Sequence, residues 1–127
     1  MELTITEITL WIDDERPTPE GYSHTAKNSA EAITLLEQSM LDGTITLKLV
    51  SFDHDLGQPW IEQDNIANDT TRPILTWMIE NDYWPEEIRI HTANPVGRQW
   101  LEGTAKRYAP ETVTLPNYYP HVQRGRN

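Results

Sequence analysis

The sequence predicts an α/β domain built on a mainly parallel, doubly wound sheet of four to five strands. Apolar runs of strand length alternate with longer stretches whose apolar residues recur at helical spacing, in the order strand, helix, strand, helix, strand, helix. The two best strand segments, Ile8–Ile12 and Ile45–Phe52, read as buried runs of the kind that parallel sheets contain. Connections of this length return to the sheet as right-handed crossovers, which makes a doubly wound sheet the natural packing.

Taken in order, Leu3–Thr9 alternates Leu3, Ile5 and Glu7 against Thr4, Thr6 and Ile8, and the first strand stops at Asp13-Asp14-Glu15-Arg16-Pro17. Pro17 and Pro19 hold the next segment extended and Gly21 turns it. Tyr22–Ala26 is read as a short second strand. Asn28 caps a helix with Glu31 as its capping-box partner. Ala32, Ile33, Leu36, Met40 and Leu41 form the apolar face of that helix, and Asp42-Gly43 ends it. Ile45–Phe52 is the third strand.

Gln58–Thr70 has no clear period, carries Trp60, Asp64, Asn65, Asn68 and Asp69, and exceeds the usual connection length. A binding loop and a plain solvated loop anchored by one Trp fit it equally. Thr71-Arg72-Pro73 opens the next helix, with Pro73 in the tolerated first turn. Ile74, Leu75, Met78 and Ile79 make its buried face, and Asn81-Asp82 ends it. Ile88–Ile90 is a short strand ending at His91. Asn94 caps, and Pro95 begins, a last helix that turns Val96, Trp100, Leu101, Ala105 and Tyr108 inward. Thr112–Leu115 is expected as an edge strand. Together these segments make a single domain over 1–127, with its core at about 8–115 and a loosely held tail over 116–127.

Composition narrows the function. The chain of 127 residues is 37% apolar, enough for one modest core to which five Trp and five Tyr contribute much of the bulk. Cysteine is absent, which removes disulfides, thiolate metal sites and thiol nucleophiles, and fits a reducing, cytoplasmic setting. Met1 leads into alternating residues instead of a signal-like start, and no apolar run is long enough to span a membrane. A net charge of −10 argues against a long nucleic acid as partner, because phosphate backbones are held mainly by Lys and Arg. A small phosphate ester or nucleotide, held through a metal or a helix start, is compatible with that charge.

The chemistry gathers at strand ends. The first strand ends at Asp13-Asp14, the third at Asp53-His54-Asp55 before Gly57, and the fourth at His91. In an open parallel sheet ligands bind outside the carboxyl ends of the strands, so three strands deliver acid or imidazole to one edge. One acidic pair alone is no more than a turn. A second acidic cluster beside it needs a cation or raised pKa values. Oxygen ligands of this kind suit Mg²⁺ or Mn²⁺, with Asp13 and Asp53 as the main ligands and Asp14 or Asp55 assisting. Asp55 serves equally well as the residue that shapes the turn with Gly57.

His91 and His54 are candidate proton carriers, since imidazole titrates near neutrality. His54 is equally readable as a metal ligand or as a residue pointing elsewhere, and His24 and His121 read as surface residues. Asn94, at a helix start with free N–H groups, and Arg98 in its first turn form a candidate phosphate seat. Arg16 is a phosphate contact or an ion-pair partner of Glu15 or Glu20.

Three motifs in this order carry a resemblance: Leu10-Trp11-Ile12-Asp13-Asp14-Glu15-Arg16-Pro17, Ser51-Phe52-Asp53-His54-Asp55-Leu56-Gly57, and Ile90-His91-Thr92-Ala93-Asn94-Pro95-Val96-Gly97-Arg98. Over about Leu10 to Tyr108 the chain resembles the cyclic-phosphate processing receiver-like domains, relatives of response-regulator receivers. The resemblance implies strand order 2-1-3-4, with a fifth strand allowed, and an activity on cyclic phosphates of nucleotides or RNA ends. It places Asp13, Asp14, Asp53, His54, Asp55 and His91 in the active site, with Asn94 and Arg98 beside them. A phosphoacceptor receiver also needs a Lys after its last strand. Here no Lys follows Lys106, and His91 stands where a receiver has a small hydroxyl residue.

The resulting expectation is a metal-assisted phosphodiesterase that opens a cyclic phosphate. Asp53, His54 and His91 are its catalytic candidates. A non-catalytic module that binds a cyclic nucleotide or a partner is the first alternative, and a phosphoacceptor receiver the second.

Overall fold

The computed structural model describes residues 6–57 and 69–116. Four parallel strands form one sheet: β1 (Thr6–Ile12), β2 (His24–Ala26), β3 (Ile45–Phe52) and β4 (Glu87–Ile90), in the order β2-β1-β3-β4. Three helices connect or follow them: α1 (Ser29–Leu41), α2 (Arg72–Asn81) and α3 (Pro95–Tyr108). The receiver-like order expected from the motifs is the one observed. Leu3–Ile5, the stretch from Gln58 to Asn68 and the tail beyond Pro116 lie outside the described residues.

Alternation along the strands sorts the side chains. Leu10, Val50 and Ile88 stand level across the sheet, as do Ile12, Phe52 and Ile90, and all six are buried. They meet Ala32 and Leu36 of α1, Ile74, Leu75 and Met78 of α2, and Leu101 and Ala105 of α3 in a single core. The helices lie side by side over it, α1 against α2 and α2 against α3. The other face carries Trp11, Ser51 and Arg89, also level with one another. No helix links β1 to β2. The connection is the Pro-containing 13–23 loop, and its Tyr22 packs edge-on against Trp11 with ring centres 5.2 Å apart.

β1 and β3 pair with one irregularity. Ile8 stands level with Leu47 and Thr9 with Leu49, so Lys48 is the extra residue of a bulge. Its ammonium lies 3.2 Å from Glu86 and 3.9 Å from Glu7.

The caps follow the chemistry of their residues. Asn28 Oδ1 accepts the N–H of Glu31, and Glu31 reaches back to the N–H of Lys27, one residue short of the Asn28 N–H that a capping box uses. Asn94 Oδ1 accepts the N–H groups of Val96 and Gly97, with Pro95 first in α3.

Four inward assignments do not hold. In α1 the buried positions are Ala32, Leu36 and Ser39. Ser39 takes the last inward place, bonded to the Tyr83 hydroxyl, and Met40 is left exposed. Leu41, roughly 140° round the helix from Leu36 at 3.6 residues per turn, is 82% exposed. In α3 the inward row is Gly97, Leu101 and Ala105, so Val96, next to that row, is exposed, as is Tyr108 in the last turn. The Thr112–Leu115 strand reduces to a single parallel bridge between Glu87 and Thr114, at the place beside β4 where a fifth strand belongs. Pro116, which has no N–H, cannot extend the ladder.

A candidate metal centre at the carboxyl edge of the sheet

Asp13, Asp53 and His91 are each the first residue beyond their strand, and each remains tied to the sheet through its backbone. The Asp13 N–H donates to Ala26 O at 3.1 Å, the Asp53 N–H to Ile12 O at 3.0 Å, and the His91 N–H to Phe52 O at 2.9 Å. Three side chains from distant parts of the chain are thereby set at the edge of a rigid layer. One potential ligand atom from each lies within 4.8 Å of the others.

Asp13 is 1% exposed. Its Oδ1 accepts the N–H groups of Glu15 (2.8 Å) and Arg16 (2.9 Å), which shape the turn. Oδ2 faces the imidazole, 3.0 Å from His91 Nε2, and lies 3.9 Å from the Arg16 guanidinium. Asp53 Oδ1 accepts the N–H of His54, and the Asp53 carbonyl accepts the hydroxyl of fully buried Thr71. Both carboxylates therefore have one oxygen fixed by backbone donors, as the ligands of metal sites commonly do. Two carboxylates and one imidazole fit a divalent ion of the Mn²⁺ type better than Mg²⁺, which prefers oxygen alone.

The His91 ring is held on its remaining sides. Nδ1 lies 2.8 Å from Ser51 Oγ, and the ring stacks on Trp11 with centres 3.7 Å apart and planes 6° from parallel. The Arg16 guanidinium donates to the His91 carbonyl. Burial lowers the imidazole pKa, the Asp13 bond and the Asp13 and Asp53 charges oppose that shift, and Arg16 adds to it. The net direction is down, toward a neutral ring.

Asp14, Glu15, Arg16, Asp53, Asp55, Gly57, Thr92, Ala93 and Asn94 line a cleft of about 270 Å³ over this edge. Burial pushes the Asp14 carboxyl pKa up, with help from the charges of Glu15, Asp13 and Asp53 against one backbone hydrogen bond. Gly57 makes room for it: at φ +71° a Cβ would stand 2.8 Å from Asp14 Oδ2. Asp55 lines the cleft but stands apart from the Asp13, Asp53 and His91 group. It accepts Asn94 Nδ2 at 3.0 Å and lies 3.0 Å from His54 Nδ1. The Asn94 bond, then His54 and the Arg72 charge, hold its pKa low against burial.

The remaining candidates divide. Arg16 is at the cleft. Arg98 donates to Thr92 O at 2.6 Å and is not among the lining residues. The first N–H groups of α3 are taken by the side chain of Asn94 itself. His54 is 5% exposed and turned into the protein. Its Nε2 accepts Arg72 Nε at 2.9 Å, so Nδ1 carries the proton shared with Asp55. Arg72 lies over the Trp100 ring at 4.8 Å, and α3 crosses His54 so closely that a Cβ on Gly97 would fall 2.3 Å from its Cγ. His54 thus joins the third-strand loop to α2 and α3 instead of opening onto the cleft. Sequence reasoning passed over Ser51 and Trp11 as ordinary strand residues and Arg72 as a helix opener. The Ser51–Asp53 spacing on one strand face was the available signal for Ser51.

A parallel sheet of order 2-1-3-4 that gathers two carboxylates and an imidazole at its carboxyl edge defines a receiver-like α/β domain. The chain belongs to the cyclic-phosphate processing receiver domain family, which matches residues 8–107. No curated protein and no solved structure matches it. Among the described residues no helix is long and apolar enough to cross a membrane.

Proposed function

We propose that the protein is a metal-assisted phosphoesterase that opens a cyclic phosphate on a nucleotide or an RNA end. The convergence of Asp13, Asp53 and His91 within 4.8 Å carries this reading, in a chain of the cyclic-phosphate processing family. Asp13, Asp53 and Nε2 of His91 would hold the ion. When bound, a divalent ion polarises the phosphoryl group and lowers the pKa of a coordinated water.

The chain's own groups then divide the work. Arg16, held at the cleft by its bond to the His91 carbonyl, would donate to phosphoryl oxygens. Asp14, the carboxyl that lines the cleft next to Asp13, takes the proton of the attacking water and returns it to the departing sugar oxygen. His54, with both ring nitrogens engaged, acts as a support. The phosphoacceptor alternative is disfavoured because no Lys follows Lys106 and the buried Thr92 hydroxyl is engaged by the Asn94 N–H.

Incubation with 2′,3′- and 3′,5′-cyclic nucleotides in Mn²⁺, Mg²⁺ or EDTA tests the proposal. Ring opening that requires the ion and is faster with Mn²⁺ is the expected result. No turnover and no metal dependence across the panel overturns it, and tight binding of unchanged nucleotide points to a binding module.

A further inference from the structure

We propose that Ser51 and Trp11 are positioning residues for His91: the indole fixes the plane of the imidazole and the serine hydroxyl fixes which nitrogen faces Asp13. The inference concerns the histidine of the reading above and rests on it only for the role of Nε2.

Three contacts define the ring. Trp11 lies parallel to it, Ser51 Oγ meets Nδ1, and Asp13 Oδ2 meets Nε2. Trp11 and Ser51 stand level on adjacent strands, on the sheet face without the helical core. Both are buried.

Stacking alone fixes a plane but allows the ring to turn over within it. Ser51 removes that freedom. A carboxylate only accepts, so Asp13 requires the proton on Nε2, which leaves a lone pair on Nδ1 for the serine O–H. When Nε2 is used as a ligand, the proton belongs on Nδ1, and the same oxygen accepts it. A hydroxyl serves both tautomers at one position, which neither a carboxylate nor an alkyl group does.

The Trp11 contribution is its ring. Among the described residues its buried Nε1–H has no hydrogen-bond partner. A buried donor without a partner is costly, so this position uses the flat aromatic surface and not the polar atom.

The test reads the imidazole directly. Nitrogen NMR of ¹⁵N-labelled, metal-free protein at neutral pH should show a single His91 state with the proton on Nε2. In Ser51→Ala that signature should become a mixture, and the affinity for Mn²⁺ alone, measured by calorimetry, should fall about 10- to 100-fold. Ser51→Thr, which keeps the hydroxyl, should restore both. Trp11→Phe should keep the single state and Trp11→Leu should lose it, which supplies an independent readout if Ser51→Ala does not fold. A wild-type ring already mixed, a Ser51→Ala ring indistinguishable from wild type, or identical signatures in the two Trp11 variants overturns the inference. Absence of Mn²⁺ binding in wild type defeats the metal reading, and the ring signatures still decide the positioning claim.

Discussion

His91 shows how a single side chain ties site to stability. Burial holds its pKa below the ordinary imidazole value of about 6.5. Between that value and the lower folded one, the unfolded chain binds more protons than the folded chain. Stability therefore rises with pH across this window. On acidification it falls as pH drops through about 6.5 and levels off below the folded pKa. Measured by denaturant unfolding in EDTA, His91→Gln should show a shallower pH slope there than wild type, and an identical slope would contradict the assignment. At this scale the sequence was partly legible. Asp13 and Asp53 could be found because an apolar strand ends on each. His54 could not be oriented, because alternation stops at Phe52 and its partner Arg72 comes from beyond a long connection.

At the scale of elements, α3 illustrates both what patterning predicts and what it omits. Its start was readable from Asn94-Pro95, since capping and fixed proline geometry are local properties. Its inward row was readable at Leu101 and Ala105 but not at Gly97, whose place is set by contact with His54, a residue of another element. The helix cannot keep its seat with a methyl group at that position. Gly97→Ala is expected to lower unfolding stability by about 1–3 kcal/mol, the usual cost of overpacking. Urea denaturation at fixed pH measures it, and an unchanged midpoint would show that the close crossing is not required. The edge strand near Thr114 was overcalled for a different, local reason: apolar alternation was present, but the following proline removes the donor needed to continue.

For the whole molecule, the order 2-1-3-4 was legible through the family resemblance that the three strand-end motifs carry, whereas crossover handedness alone led only to a doubly wound packing. The cover of the second sheet face was not, because the chain passes from β1 to β2 by an extended loop with no helix. The three groups of the candidate centre come from three strands, so the site exists only in the folded chain. An ion held there binds the native state selectively and should stabilise it by about 2.7 kcal/mol at one hundred times its dissociation constant. Thermal unfolding with increasing Mn²⁺ should show a rising Tm, and Asp13→Asn should abolish most of the rise. A wild-type Tm independent of the ion would rule out a native-state site.

The bulge at Lys48 gives the sheet a counting function. From the Thr6–Ile45 pair onward, an unbroken ladder would bring Asp13 level with Phe52, whereas passing over Lys48 brings it level with Asp53. Changes of chain length on the two sides of this point are therefore unequal. A residue gained or lost before Lys48 is absorbed by enlarging or relieving the bulge. One gained or lost between Leu49 and Phe52 puts the two aspartates out of step and turns the intervening side chains to the opposite face. Insertions and deletions within this strand pair are expected to be better tolerated on the amino side of Lys48 than on the carboxyl side, which the stability of one-residue insertion variants on either side would measure.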